Sequence, residues 1–134
     1  MIKMKSKKET KLEVETKKLF NSFKYAIEGI ISSFKTERNM KIHIIIMILV
    51  IILSALLKIS VTEWIICLIL FALVISAELF NTAIETTVDL AMPEKNDKAK
   101  LAKDVSAAAV LVIALSSAII GLIIFVPKII NLIN

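Results

Sequence analysis

Glycine is scarce in this chain, which has only Gly29 and Gly121 among its 134 residues. The glycine-rich loops that cradle phosphates in soluble ATPases need several closely spaced glycines, and no G-x-x-x-x-G-K-S/T motif can be drawn. A soluble-type ATP site is therefore excluded. The single cysteine, Cys67, also excludes a disulfide framework and a cysteine metal site, and its apolar neighbours predict a small buried hydrophobe.

Charge is missing from three long stretches of the chain. Hydrophobic residues make up 57% of the sequence, and the 22% that are charged lie mainly in the first 41 positions and in residues 92–104. Apolar runs of this length are typical of membrane spans. The sequence predicts an all-α membrane protein of one domain, with transmembrane helices at about residues 42–57, 62–90 and 105–126. Pro93 and Pro127 are predicted to end the second and third of these helices.

The amino-terminal region has a different pattern. Residues 1–11 are lysine-rich and predict a flexible basic tail, which anionic lipid attracts. In residues 12–36, apolar positions recur at helical spacing opposite a basic face, which predicts an amphipathic helix on an anionic membrane surface. Residues 37–134 then form the three-span membrane domain. No uninterrupted apolar core of a cleaved signal peptide is seen.

Basic residues are distributed unequally around the predicted spans. Eleven Lys or Arg precede the first span and four lie between the second and third, against Lys58 and Lys128 on the other side. The positive-inside rule therefore places the amino terminus in the cytoplasm and the carboxyl terminus outside. Orientation and anionic lipid account for the net charge of +5, so we predict no nucleic-acid partner.

An acidic stripe follows fourteen uncharged residues in the second span. At about 100° per residue, Glu78, Glu85 and Asp89 fall within roughly 40° of one another, with Asn81 about 60° to one side. A carboxylate at bilayer depth costs about 2.5–3.5 kcal/mol on insertion scales, so it faces protein or water and is a candidate functional group. Asp89, near the helix end, has a second interpretation, a structural pair with a loop lysine.

Other polar groups are predicted at the same membrane boundary. Glu37 precedes the first span, and Lys103 and Asp104 precede the third. Carboxylates, an amide and a lysine suit phosphoryl transfer, which needs oxygen ligands for Mg²⁺, a cation for phosphate and a proton acceptor. Three short spans can hardly enclose such a site, so we expect a homo-oligomer. A proton-coupled transporter that uses Glu78 is a remote alternative.

The polar motif identifies a family. Glu-x-x-Asn-Thr-Ala-Ile-Glu-x-x-x-Asp at residues 78–89, with Ala-Lys-Asp at 102–104 and Ser-Phe-Lys-Tyr-Ala-x-x-Gly at 22–29, resembles the small bacterial membrane kinases of the diacylglycerol kinase and undecaprenol kinase family. The resemblance covers about residues 18–125. It implies an ATP-dependent lipid kinase in the bacterial cytoplasmic membrane that works as a homotrimeric helical bundle with shared active sites.

The resemblance also implies roles for individual residues. Glu78 would be the general base, and Asn81 would help to position the lipid hydroxyl. Glu37 and Glu85 would hold the Mg²⁺ that bridges the ATP phosphates. The ATP-binding set would be Lys18, Tyr25, Glu37, Glu85, Glu94, Lys95, Asn96, Lys103 and Asp104, with Asp89 in support.

The chain departs from the family pattern at three positions. Lys18 stands where arginine is common and lacks the planar fork of a guanidinium. Ser106 is displaced by one position from the serine of the diacylglycerol branch, so no substrate contact is assigned to it. His43 stands where diacylglycerol kinases tend to have an acid, which favours undecaprenol as the acceptor, with diacylglycerol as the alternative. By itself His43 is interpreted as an interfacial polar residue, and Asp104 equally as a cap of the third helix.

Overall fold

The computed structural model describes residues 2–133, with side-chain surroundings from Lys11 onward. This part of the chain is all helical, with α1 at Ile2–Thr36, α2 at Arg38–Leu56, α3 at Val61–Ala91 and α4 at Asp97–Ile133. The chain divides into two units, one that contains α1 and one that contains α2, α3 and α4. The last three helices are long and apolar enough to cross a membrane. The predicted all-α class with three spans is confirmed.

Helix α1 is longer than the sequence predicted. It begins at Ile2, so the helix includes the basic segment that was expected to be a flexible tail. Lysine and glutamate have high helix propensity, so a segment rich in charged residues can still form a helix. The apolar side chains of α1 are exposed, as Phe20 at 71% and Phe23 at 63% illustrate.

A tight turn joins α2 to α3, as predicted. Lys58 has a φ of 48°, which lets the chain reverse direction. Ser60 caps α3 through a capping box, in which its hydroxyl accepts from the Glu63 amide while the Glu63 carboxylate accepts from the Ser60 amide at 2.7 Å. These local hydrogen bonds set the start of α3.

The α3–α4 connection is short. Helix α3 ends at Ala91, two residues before Pro93, as predicted. Helix α4 begins at Asp97, earlier than expected, because the Asn96 side chain accepts from the amides of Lys98 at 2.9 Å and Ala99 at 3.2 Å. The prediction that Asp104 caps this helix is wrong.

Pro127 does not end α4, which contradicts the sequence prediction. The helix continues to Ile133, and the next residue, Lys128, lies 3.1 Å from the Glu63 carboxylate of α3. Proline removes one backbone hydrogen bond, but apolar surroundings penalise the alternatives to helix more strongly. The ion pair to α3 also holds the last turns in place.

Helix α3 is the centre of the second unit, since α2 and α4 both pack on α3. A buried cluster of Ile59, Cys67, Ile124 and Phe125 forms near the α2–α3 turn, and Trp64 packs against it. We call this the turn end of the bundle and the region near the α3–α4 connection the loop end. The predicted burial of Cys67 is confirmed, at 3% exposed.

Gly121 of α4 has open space beside it. A Cβ added to Gly121 would meet no heavy atom within 4 Å among the described residues. Within one chain this face of α4 therefore borders open space.

Candidate active site

Glu78 is buried in the middle of the second unit. It lies on α3 and is 1% exposed, so it faces the protein interior as the sequence predicted. Its Oε1 accepts no hydrogen bond from any residue that the structure describes. Leaving a buried polar atom unsatisfied costs about 1–3 kcal/mol, and more for a charged group. An oxygen kept in this condition is a strong candidate for chemistry.

His43 is the neighbour that sequence reasoning missed. Its Nε2 lies 3.2 Å from Glu78 Oε1, at ion-pair distance, and joins α2 to α3. The interpretation of His43 as a merely interfacial residue is therefore corrected. The signal was present, because His43 is the one ionisable side chain within residues 42–57 and an intramembrane carboxylate needs a partner.

A second polar group joins α3 to α4. Asn81 Nδ2 donates to Glu85 Oε1 at 3.1 Å, and the Ser106 hydroxyl lies 2.6 Å from Asn81 Oδ1. The same hydroxyl lies 2.9 Å from the Lys103 carbonyl, so its single proton serves one acceptor at a time. Ser106 is a site residue to which the sequence assigned no role. Its hydrogen bond sets which way the Asn81 amide points.

Charges of both signs surround Glu78. Glu37 and Glu85 act on it electrostatically with the same sign, and His43 acts with the opposite sign. Glu37 is the residue before α2, and its side chain makes no capping hydrogen bond to that helix. The predicted Glu37, Glu78 and Glu85 thus belong to one electrostatic environment at the loop end.

Lys103 and Asp89 form an ion pair between α4 and α3. The ammonium lies 2.9 Å and 3.0 Å from the two carboxylate oxygens of Asp89. The Asp89 side chain is 64% exposed, and such exposed pairs contribute about 0–1 kcal/mol. A lysine held this weakly can be recruited by a stronger anion. The predicted partner of Asp89 was a loop lysine, whereas the partner in the structure belongs to α4.

A polar cavity of about 580 Å³ opens at the loop end. Its lining includes six of the predicted site residues, namely Asp89, Glu94, Lys95, Asn96, Lys103 and Asp104. Asp104 is engaged in an ion pair with Lys100, which also lines the cavity. Lys18 and Tyr25 lie on α1, in the other unit, and are not among the residues gathered here.

An apolar groove of about 420 Å³ lies among α2, α3 and α4, and His43, the neighbour of Glu78, is one of its lining residues. Side chains of α2, α3 and α4 line it from His43 near the loop end to Ile129 near the turn end, and open Gly121 is among them. The groove suits a hydrocarbon chain rather than a polar ligand.

No group of three or more His, Cys, Asp or Glu side chains that could hold a metal occurs among the described residues. This finding does not exclude Mg²⁺, which proteins usually bind through one or two carboxylates together with substrate phosphates. Glu37 and Glu85 stay the two carboxylates predicted as its ligands.

An apolar groove, a polar cavity and a buried carboxylate in one helical unit fit a membrane enzyme that works on a lipid. Residues 24–125 match the family profile of prokaryotic diacylglycerol kinase. The undecaprenol kinase of Bacillus subtilis (strain 168) is 45% identical over 114 residues, which cover 85% of this chain and 93% of that protein. This chain belongs to the prokaryotic diacylglycerol kinase family and is a lipid kinase.

More distant relatives carry the other acceptor in their names. The diacylglycerol kinase of Synechocystis sp. is 36% identical over 115 residues, which cover 85% of this chain and 66% of that protein. The diacylglycerol kinase of Haemophilus influenzae is 33% identical over 94 residues, which cover 70% of this chain and 80% of that protein. The family membership favours a kinase over the transporter alternative.

Proposed function

We propose that this protein transfers the γ-phosphate of ATP to the hydroxyl of undecaprenol and so makes undecaprenyl phosphate. One observation carries the proposal, namely a buried carboxylate, Glu78, whose Oε1 lies 3.2 Å from His43, a residue that lines an apolar groove. The choice of acceptor is supported by 45% identity to an undecaprenol kinase over nearly the whole of that relative. Diacylglycerol is the second candidate acceptor, because other relatives bear that name.

Glu78 acts as the general base in this mechanism. Its Oε1 accepts the proton of the lipid hydroxyl while the hydroxyl oxygen forms a bond to the γ-phosphorus. The bond between the γ-phosphorus and the bridging oxygen breaks, and ADP leaves with that electron pair. A buried carboxylate has less water to hydrogen-bond, so it is a more effective proton acceptor than an exposed one.

Asn81 positions the reacting groups. Its amide nitrogen donates to Glu85 and its amide oxygen is close to Ser106, so both ends of the amide are oriented by neighbours. An orientation set before substrate arrives lowers the entropic cost of the reaction. Ser106 therefore supports catalysis through Asn81 rather than by contact with the lipid.

The polar cavity at the loop end is the proposed ATP site. When ATP binds, the Lys103 ammonium contacts the phosphates and neutralises their charge, either in place of its ion pair with Asp89 or in addition to it. The other cavity residues that contact the nucleotide are Glu94, Lys95, Asn96 and Asp104. For Lys18 and Tyr25 of α1, contact with ATP is a prediction that rests on the resemblance to the family alone. Glu37 and Glu85 would hold Mg²⁺, which supplies positive charge to the phosphates when bound.

The membrane setting follows from the exposed apolar surfaces. Helix α1 lies on the cytoplasmic face of the membrane and binds anionic lipid through its lysines. The positive-inside count supports a cytoplasmic amino terminus and an external carboxyl terminus in the bacterial cytoplasmic membrane. The resemblance to the family implies that three copies assemble into a trimer. The helix faces that remain exposed in one chain, such as α4 at Leu122 and Ile123, need lipid or protein against them.

One assay tests this function. Purified protein in mixed micelles with Mg²⁺ and radiolabelled ATP is given undecaprenol or diacylglycerol at equal surface concentration. We expect label in undecaprenyl phosphate at the higher kcat/KM. Preferential labelling of phosphatidic acid would replace undecaprenol by diacylglycerol, and no transfer to either alcohol would refute the proposed function.

A further inference from the structure

His43 lies between the apolar groove and the buried carboxylate. It is one of the residues that line the groove, and its Nε2 is 3.2 Å from Glu78 Oε1. Its side chain is 19% exposed, whereas that of Glu78 is 2% exposed. A molecule that occupies the groove therefore meets His43 where the groove approaches Glu78.

The Glu78 carboxylate needs an external group to orient it. The helix sets where the Cβ lies, but a glutamate side chain rotates about three further bonds and loses that freedom only through contacts. Oε1 has no hydrogen bond of normal geometry to the described residues, so a single close polar contact matters for its orientation. The ring of His43 is at ion-pair distance from it.

Electrostatics favour the same arrangement. The negative charges of Glu37 and Glu85 act on Glu78 from α2 and α3 and oppose a third carboxylate nearby. His43 acts with the opposite sign. The His43 ring thus contacts the carboxylate from α2 and also lines the groove.

We propose that His43 is a positioning residue for the phosphoryl transfer, which holds Glu78 Oε1 at the end of the apolar groove where the lipid hydroxyl arrives. This inference rests on the proposed function. His43 acts through Glu78 by donating toward the carboxylate and itself takes no proton from the substrate. A side chain that donates at the same place should then replace it.

The test compares substitutions of His43 in the full-length protein. His43→Leu removes the donor and keeps the apolar lining of the groove. His43→Gln keeps an amide donor at similar reach, and His43→Asn carries the same amide one methylene shorter. Ser54→Ala is the matched control, because Ser54 is a fully buried polar residue on α2 whose hydroxyl has no hydrogen-bond partner among the described residues.

Steady-state kinetics are measured with the lipid alcohol that the wild-type protein phosphorylates, and thermal unfolding and oligomer size are recorded for each variant. We expect His43→Leu to lower kcat about 10- to 100-fold with the KM for ATP within twofold of wild type, because misplacing a catalytic group by about 1 Å can cost that much. His43→Gln should recover at least tenfold of this loss, and His43→Asn much less. Ser54→Ala should match the wild type.

Each outcome separates the possibilities. A His43→Leu variant with the kcat of the wild type overturns the proposal. A folded His43→Gln variant that is no more active than His43→Leu also overturns it, because an amide donor would then not replace the imidazole and the imidazole itself would transfer a proton. If His43→Leu does not fold, the ratio of kcat in the Gln and Asn variants decides, and equal values overturn positioning. Absence of lipid phosphorylation in the wild type refutes the proposed function instead.

Discussion

Two glutamates on the same helix, Glu63 and Glu78, have opposite surroundings. At the turn end, Glu63 Oε2 is 2.7 Å from the Ser60 amide, 2.8 Å from the Ser60 hydroxyl and 3.1 Å from Lys128 Nζ. In the middle of the second unit, Glu78 is more deeply buried, and among the described residues its Oε1 has the contact with His43 Nε2 at 3.2 Å but no hydrogen bond of normal geometry. A carboxylate whose oxygens already accept hydrogen bonds stabilises the fold. A buried carboxylate with an unsatisfied oxygen is available to bind a substrate.

The two ion pairs between α3 and α4 also differ, in their solvent exposure and in the role that this exposure suits. Lys128 and Glu63 are 31% and 23% exposed in their side chains, and the pair lies next to the apolar cluster of the turn end. Asp89 of the Lys103 pair is 64% exposed and lines a polar cavity. The sheltered pair is suited to holding helices together, and the exposed pair is suited to exchange with a charged substrate.

The largest expected effect comes from Glu78→Gln. The amide has nearly the same shape but cannot accept the hydroxyl proton, so kcat should fall by about 10²- to 10⁴-fold. Lipid phosphorylation and ATP binding are measured side by side, and ATP binding should persist. A kcat above one tenth of the wild-type value would show that Glu78 is not the general base. Glu78 and Glu63 would then no longer differ in function.

Lys103→Met should have the next largest effect. Loss of one charge-assisted contact to phosphate costs about 1.5–3 kcal/mol, so kcat/KM for ATP should fall roughly 10- to 100-fold. Lys128→Met removes the corresponding ion pair at the turn end and serves as the control, with kcat/KM unchanged. Equal losses in the two variants would mean that both pairs act only on the fold.

Ser106→Ala tests the support of Asn81. One neutral hydrogen bond contributes about 0.5–1.5 kcal/mol, so kcat should fall roughly 2- to 10-fold with the KM for ATP unchanged. Ser116→Ala is the matched control on the same helix, because its exposed hydroxyl donates to the Val112 carbonyl of its own helix at 2.9 Å. A Ser106→Ala protein with full kcat would show that Asn81 keeps its orientation without this bond.

Glu63→Ala should have the smallest effect on turnover and a clear one on stability. Loss of the capping box and of the pair to Lys128 should lower the free energy of unfolding by about 1–2 kcal/mol. Thermal unfolding in detergent measures the loss, and kcat per folded protein should equal that of the wild type. A kcat lowered as in Glu78→Gln would refute the assignment of Glu63 to structure alone.

Local patterns predicted much of this fold. Long apolar runs placed α2, α3 and α4, and Pro93 marked the end of α3, because these signals depend on neighbouring residues alone. The wrong predictions concerned the two ends of α4. Asn96 rather than Asp104 caps α4, and Pro127 lies inside that helix, because its lost hydrogen bond is cheaper than irregular backbone in apolar surroundings.

The candidate site was predicted less completely. One polar motif on α3 identified Glu78, Asn81, Glu85 and Asp89 because helical periodicity brings them to one face. The contacts of His43 and Ser106 were missed, since each depends on how α2 or α4 rotates against α3. No spacing along the chain specifies that rotation.

The sequence by itself thus determined three membrane spans with an acidic stripe on the second, because apolar length and charge spacing are properties of single helices. The resemblance of that stripe to a family motif added the kinase activity. Only the tertiary structure decided which residues of the acidic stripe have polar partners on other helices. That decision rests on side chains from other helices, such as His43 3.2 Å from Glu78 and Ser106 2.6 Å from Asn81. Hydrogen bonds form only within about 3 Å, so packing between helices decides them.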